Sequence, residues 1–269
     1  MKIALVDNGS LEAAAHANLR SVAAALGRSA GAEAEAVSWK HSNRIPVGEL
    51  GGRHAWTLAP WVRKRVSEGE REFLFLPFFI SPQGAIGSLL RRDLEALRAS
   101  TGGFDYSFTQ GLAEGPVLAQ IVASRIREAA AKLKLPSVII VDHGGPSPAS
   151  AYVRERVAGE VRATLGAGIG PLVAASMESP DGPEYDFNRP LLAEALAHPG
   201  LREVVIAPLF LSPGRHAGPA GDLARIARAA QKDSPQLRCH FAGLVGSHPA
   251  AAEFLAGALA DALQTGALK

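Results

Sequence analysis

The sequence is poor in cysteine and aromatic residues, and it has no excess of either charge. Cys239 is the single cysteine in 269 residues, so no disulfide can form within the chain. That excludes a small disulfide-stapled fold and leads us to expect a reducing, cytoplasmic setting. Aromatic residues make up only 6% of the chain and alanine is abundant, which suits helices packed closely through small side chains. There are 28 Lys and Arg against 26 Asp and Glu, a net charge of +2. No basic block stands out, so the concentrated cationic face of a nucleic-acid binder is missing. Long hydrophobic runs are missing too. The apolar stretch Phe73–Ile80 falls far short of the roughly 20 residues needed to cross a bilayer. The stretch between Lys2 and Asp7 is too short for a signal-peptide core of about 7–15 apolar residues. We therefore expect a cytoplasmic chain with neither a membrane nor a nucleic-acid partner.

What is present is a partial internal repeat. Ile3-Ala4-Leu5-Val6-Asp7-Asn8-Gly9-Ser10 matches Val138-Ile139-Ile140-Val141-Asp142-His143-Gly144-Gly145 in pattern. Phe75-Leu76-Pro77-Phe78-Phe79-Ile80-Ser81-Pro82 matches Ile206-Ala207-Pro208-Leu209-Phe210-Leu211-Ser212-Pro213. The second copy of the latter runs into Gly214-Arg215-His216, and the first into Gln83-Gly84-Ala85. A duplicated fold needs core strands in both copies, but a site needs only one set of functional groups. The chemistry is expected in the second half.

Short apolar runs alternate with longer helical patterns, which predicts βαβ units and parallel sheets. In the first half, strands are expected at 3–7, 34–38, 72–77 and 105–109, and helices at 11–26, 58–67, 86–99 and 116–134. In the second half, strands are expected at 137–142, 172–177, 203–208 and 237–242. Helices there are expected at 148–165, 188–197, 217–232 and 250–263. The fold class is thus α/β with two Rossmann-like domains, each a mainly parallel four-stranded sheet with flanking helices. The boundary is expected near Leu135-Pro136, because proline disfavours helix in the residue before it. The domains are then 1–135 and 136–269. Ser10 is the expected cap of the first helix and Gly27 its left-handed stop. Ser147-Pro148 reads as an N-cap followed by an N1 proline, with Gly166 closing that helix.

In open parallel sheets, ligands bind beyond the carboxyl ends of the strands. His143, Glu178 and the Ser212–His216 segment all fall there. His143 fits either a ligand-facing role or a turn histidine that bonds its own loop. His216 could be a metal ligand, a general base, or only the start of a helix. Glu178 by itself also fits a solvated loop carboxylate. Together, two imidazoles and a carboxylate suit a borderline divalent ion such as Co(II), Fe(II), Ni(II) or Zn(II).

The segments Val141-Asp142-His143-Gly144, Ser176-Met177-Glu178 and Pro208–His216 resemble the motifs of the class II tetrapyrrole chelatases, in particular the CbiX-type sirohydrochlorin chelatases. The first-half strands fit the same skeleton, so the resemblance spans most of the chain. It implies two chelatase-like domains and a lyase that inserts Co(II) or Fe(II) into sirohydrochlorin without ATP, in cobalamin or sirohaem synthesis. It places metal handling and catalysis on His143, His216 and Glu178. No permanently bound cofactor is implied, because the divalent metal is a substrate. A carboxylate-rich macrocycle calls for cations and hydroxyls, and Arg215, Lys40 and Ser212 are the substrate-binding candidates, with Arg189 and Arg44 behind them. The first half departs from the pattern, with Asn8, Lys40 and Ala85 in place of His143, Glu178 and His216. Gly145 stands where a serine is common in the family. The first half therefore reads as a degenerate partner that shapes a cleft, and internal duplication is compatible with a monomer.

Other features carry less. Gly166–Gly170 precedes a strand, whereas a dinucleotide loop follows one. His16, His198, His240 and His248 read as structural, and Cys239 as a small apolar group in a strand. The alternative to an enzyme is a protein of the same fold that binds a tetrapyrrole or a metal without turnover. A hydrolase is disfavoured, because no G-x-S-x-G elbow is present.

Overall fold

A computed structural model describes residues 1–80 and 85–266. The Ser81-Pro82 end of the first-half motif and Gln83-Gly84 lie outside the described residues, as does the side chain of Ala85. Among the described residues, no helix is long and apolar enough to cross a membrane.

The first sheet contains β1 (Lys2–Asp7), β2 (Ala34–Ser38), β3 (Trp56–Thr57), β4 (Glu72–Pro77) and β5 (Asp105–Phe108). Its order is β3-β2-β1-β4-β5, and every pairing is parallel. Its helices are α1 (Ala13–Ala30), α2 (Leu58–Ser67) and α3 (Ala85–Ser100). Both β1 and β4 are buried almost throughout, which is why they read as unbroken apolar runs. The outer strand β5 is only partly covered. Trp61, Phe73, Phe75 and Phe104 concentrate the few aromatics in one core, with ring centroids 5.1 Å apart between Phe73 and Phe104. The sheet has five strands, a correction to the four expected. Trp56-Thr57 is too short to show alternation, and its pairing with Val37-Ser38 emerges only once the chain is folded.

The second unit opens with α4 (Val117–Ala130), followed by β6 (Ser137–Asp142), α5 (Pro148–Leu165), β7 (Leu172–Ser176) and α6 (Leu192–Leu196). It continues with β8 (Glu203–Pro208), α7 (Asp222–Asp233) and β9 (Arg238–Phe241). Its parallel sheet has the order β7-β6-β8-β9. The last helix, α8 (Pro249–Thr265), packs on α1.

The compact units are Met1–Glu114 with the segment from Pro249 onward, and Gly115–His248. Thus α4 lies with the second unit and α8 with the first, whereas a cut at Leu135-Pro136 assigns each to the other. Leu118, Ile121, Val122 and Ile126 of α4 are buried, and the helix covers α5 and β8. Leu255 and Leu259 of α8 are likewise buried.

Several helix ends differ from expectation: α4 stops at Ala130 and not at 134, α6 starts at Leu192 and not at 188, and α1 and α7 differ as well. α1 runs through Gly27 and stops at Gly31, which takes the left-handed conformation. Its N-cap is Glu12, and the Ser10 hydroxyl accepts a bond from the Glu12 amide at 3.0 Å instead of capping the helix. α7 starts at Asp222 and not at 217, because Gly218, Pro219 and Gly221 hold the preceding segment out of the helix.

Candidate functional site

The site is built on three neighbouring strands. β7 and β8 both pair with β6, and the chain direction across the sheet reverses between β6 and β8. Such switch points open a crevice at the carboxyl ends of the strands. His143 follows β6, Glu178 follows β7, and the segment from Leu209 to His216 follows β8. The ladder continues past the strands. The Met177 amide donates to the Asp142 carbonyl at 2.9 Å, and Glu178 to that of His143 at 3.1 Å. This sets Glu178 beside His143. Gly144 makes the approach possible, with φ of +83° and its α-carbon against the loop. A Cβ there would lie 1.8 Å from the Glu178 carbonyl oxygen.

The imidazoles of His143 and His216 face each other with ring centroids 4.7 Å apart. His143 Nε2 lies 3.3 Å from Glu178 Oε1. His216 Nδ1 lies 2.6 Å from Asp222 Oδ2. If Nδ1 carries the proton and donates to that carboxylate, Nε2 keeps its lone pair for other work. Partial burial holds the pKa of His143 below its ordinary value, against the opposing pull of Glu178. The ring is therefore neutral at neutral pH. Asp222 is held below the usual carboxylate range, chiefly by its bond to His216. The carboxylates of Glu178 and Asp222 stand beside the two imidazoles, a donor set that suits a divalent cation. Among the described residues, no three His, Cys, Asp or Glu groups form a ready-made metal cage. The groups are an open set of donors.

The other expected residues are placed less centrally. Ser212 is partly buried in the loop after β8. Arg215 is 81% exposed, with Nε 3.8 Å from Asp222. Lys40 belongs to the first unit, where it pairs with Asp93 at 3.6 Å.

Residues 137–262 match the CbiX family model. The second half is a CbiX domain. No curated protein matches the chain in sequence. Among solved structures, SirB from Bacillus subtilis with Fe3+ matches with a TM-score of 0.70 at 13% identity, over 100% of this chain and 99% of that one. SirB from Bacillus subtilis subspecies spizizenii, in complex with cobalt, matches equally well at 13% identity and 0.70, over 98% of both chains. A structure described as CbiX, the terminal enzyme for biosynthesis of siroheme in denitrifying bacteria, matches at 0.66 and 16% identity, over 97% of this chain and 99% of that one. The whole chain therefore has the chelatase fold.

Beneath the turn at His143–Gly145 lies a buried polar network that sequence reasoning missed. Arg154 is 1% exposed. It reaches Asp142 at 3.3 Å, the Phe187 carbonyl at 2.8 Å and the Ser176 hydroxyl. Ser176 also donates to Asp142 at 2.7 Å. Asn188 clamps the turn by donating to the Gly145 carbonyl at 2.9 Å and accepting from its amide at 3.2 Å. In sequence, Arg154 reads as an ordinary helix cation and Asn188 as a helix start. Asp222 was missed because the helix was placed too early. An acid opening an amphipathic helix just after His216 was the available signal.

The first unit keeps the scaffold of the His143-Gly144 turn, with Asn8 and Lys40 in place of His143 and Glu178. Lys40 donates its amide to the Asn8 carbonyl at 3.2 Å, as Glu178 does to His143. Gly9 has φ of +88°, and a Cβ there would meet the Lys40 carbonyl oxygen at 1.7 Å. Counted from the helix starts, Leu19 stands where Arg154 does. Among the described residues, Asp7 therefore has no guanidinium partner. Burial pushes its carboxyl up to about 6, while a bond from Ser38 opposes the shift. Among the described residues, its Oδ1 has no hydrogen-bond partner. His16 lies 3.5 Å from the Ser38 hydroxyl and is pushed down to about 4, mainly by burial.

Proposed function

We propose that this chain inserts a divalent metal ion, Co(II) or Fe(II), into sirohydrochlorin without ATP, in cobalamin or sirohaem biosynthesis. The observation that carries this reading is the facing pair His143 and His216, 4.7 Å apart at a sheet switch point within the CbiX domain. The fold shared with SirB and CbiX structures supports it, two of them described with iron or cobalt.

The chemistry follows from the donors. A hydrated ion must exchange water for macrocycle nitrogens, and two pyrrole protons leave for each divalent ion that enters. The neutral His143 ring and Nε2 of His216 offer lone pairs that hold the ion in transit. The imidazoles accept the released protons, and Glu178 balances charge or relays them. Arg215 and Ser212 contact substrate carboxylates, and Lys40 adds charge that it shares with Asp93.

The test is an anaerobic absorbance assay with sirohydrochlorin and Co(II), Fe(II) or Ni(II) in turn. The parent protein should accelerate insertion over background, and His143→Ala or His216→Ala should return the rate to background with folding intact. Rates near the parent's in either variant contradict the assignment. Tight sirohydrochlorin binding without acceleration identifies a carrier.

A further inference from the structure

The first unit holds a second feature that the metal chemistry does not use. A cavity of about 500 Å³ opens beside β2, α2 and α3. Its apolar walls include Leu58, Ala59, Ala96 and Leu97. Its size is that of a small-molecule site, about 300–1,000 Å³. Three cations reach it from separate elements: Lys40 after β2, Arg44 in the following 3-10 turn, and Arg63 on α2.

These cations are unequally neutralised. Asp93 Oδ2 accepts from the Trp39 indole at 3.0 Å and lies 3.6 Å from Lys40 Nζ. The same ammonium sits 3.9 Å from the Trp39 ring centroid. Asp93 thus balances Lys40 and fixes the indole as a wall. Among the described residues, Arg44 and Arg63 have no ion pair. The cavity keeps two unpaired guanidinium groups over an apolar floor.

The loop that presents the cations is anchored. Ser42 is 1% exposed, accepts from the Ser10 amide at 3.1 Å and donates to the Ser10 carbonyl at 3.0 Å. The preceding residue, His41, is held at φ of +69° and ψ of −42°, the centre of a γ-turn closed by the Ser42 amide on the Lys40 carbonyl at 2.8 Å. A non-glycine residue held there is strain that the surrounding structure must enforce, and such strain gathers at ligand clamps.

We propose that this cavity binds a carboxylate ligand with an apolar body. Guanidinium forks pair with carboxylates in two-bond geometry, and the indole and leucine walls take the apolar part. The ligand is either a carboxylate-bearing edge of the tetrapyrrole or a separate small aromatic carboxylate. The first source rests on the chelatase reading and the second does not.

The test is calorimetric titration of the full-length protein without metal. The probes are uroporphyrin as an octacarboxylate tetrapyrrole, naphthalene dicarboxylate as a small ligand, and inorganic phosphate. The double reversal Arg44→Glu with Arg63→Glu should weaken carboxylate binding by at least about tenfold. The same charge change placed elsewhere, Lys132→Glu with Lys134→Glu, should leave it unaltered. Single reversals guard against a folding defect in the double variant. Binding of uroporphyrin alone assigns the tetrapyrrole source, and binding of the dicarboxylate assigns a separate ligand. The proposal is overturned by equal affinity in the double variant, by equal loss in the lysine control, or by phosphate binding as tightly as either carboxylate. Because no metal is added, failure of insertion and failure of this site are read separately.

Discussion

His216 meets Asp222 through Nδ1 at 2.6 Å, and that contact decides which ring nitrogen is open. Asp222→Asn replaces the acceptor with an amide that can hold the opposite tautomer. We expect a loss of about 10- to 100-fold in metal affinity or insertion rate, typical of groups that orient a metal ligand. Initial rates across pH, with thermal unfolding as a folding check, measure it. Parent-like rates and pH profile would remove Asp222 from a positioning role. A second residue-scale prediction concerns Asp7. Its folded value of about 6 exceeds the ordinary 3.8, so the folded chain holds a proton that the unfolded chain releases. Stability from this group therefore falls as pH rises from about 4 to about 6, and the penalty persists above that range. His16 works in the opposite direction. Its value is lowered from 6.5 to about 4, so its contribution is full above 6.5 and is lost as pH falls toward 4. Asp7→Asn should stabilise the protein at pH 7–8 by about 1–3 kcal/mol. The gain should vanish near pH 4, where the variant shows the uncompensated loss from His16. Urea unfolding at pH 4, 5.5 and 7.5 tests this, and a gain independent of pH contradicts it.

The strand–turn unit recurs at the element scale with the same geometry in both halves. Gly9 and Gly144 each have a positive φ, and each lies against the carbonyl of the neighbouring strand's loop, with Ser38 or Ser176 Cβ 3.1 Å from the position a Cβ would take. Gly144→Ala should cost more than about 1–2 kcal/mol, because the left-handed conformation and the clash with Glu178 both penalise it. It should also lower the insertion rate by separating Glu178 from His143. Gly9→Ala should cost a similar amount of stability while leaving the His143 and His216 pair in place. Chemical denaturation together with metal titration separates the two effects. Equal stability of parent and Gly144→Ala would contradict the close approach. The apolar runs made β1, β4, β6 and β8 legible, since central parallel strands are buried on both faces. β3 was not legible, because its two residues carry no period. The start of α7 was misplaced, because local composition does not say where a Gly-Pro segment will release the chain into helix.

The whole molecule is divided differently from its sequence halves. α4 covers the second sheet, and α8 packs on α1 of the first unit. A chain cut at Leu135-Pro136 separates each helix from the surface it buries. Fragments 1–135 and 136–269 should therefore aggregate or melt without cooperativity. Fragment 115–248 should be folded and melt cooperatively. Far-UV circular dichroism and thermal melts of the three fragments decide the matter. Cooperative melting of both sequence halves would show that the exchanged helices are dispensable.

Sequence alone determined the α/β class, the duplication, and the presence of the motif histidines in only one copy. These follow from local periodicity and from residue identity, which need no folded chain to be read. Only the tertiary structure decided that His143 and His216 face each other, and that Asp222 engages the second ring. It also decided that Arg154 compensates Asp142 while Asp7 has no counter-ion among the described residues. The physical reason is common to all of these. Contacts between loops on adjacent strands depend on sheet order, register and helix start. A residue's neighbours across those loops have no signature in its own segment.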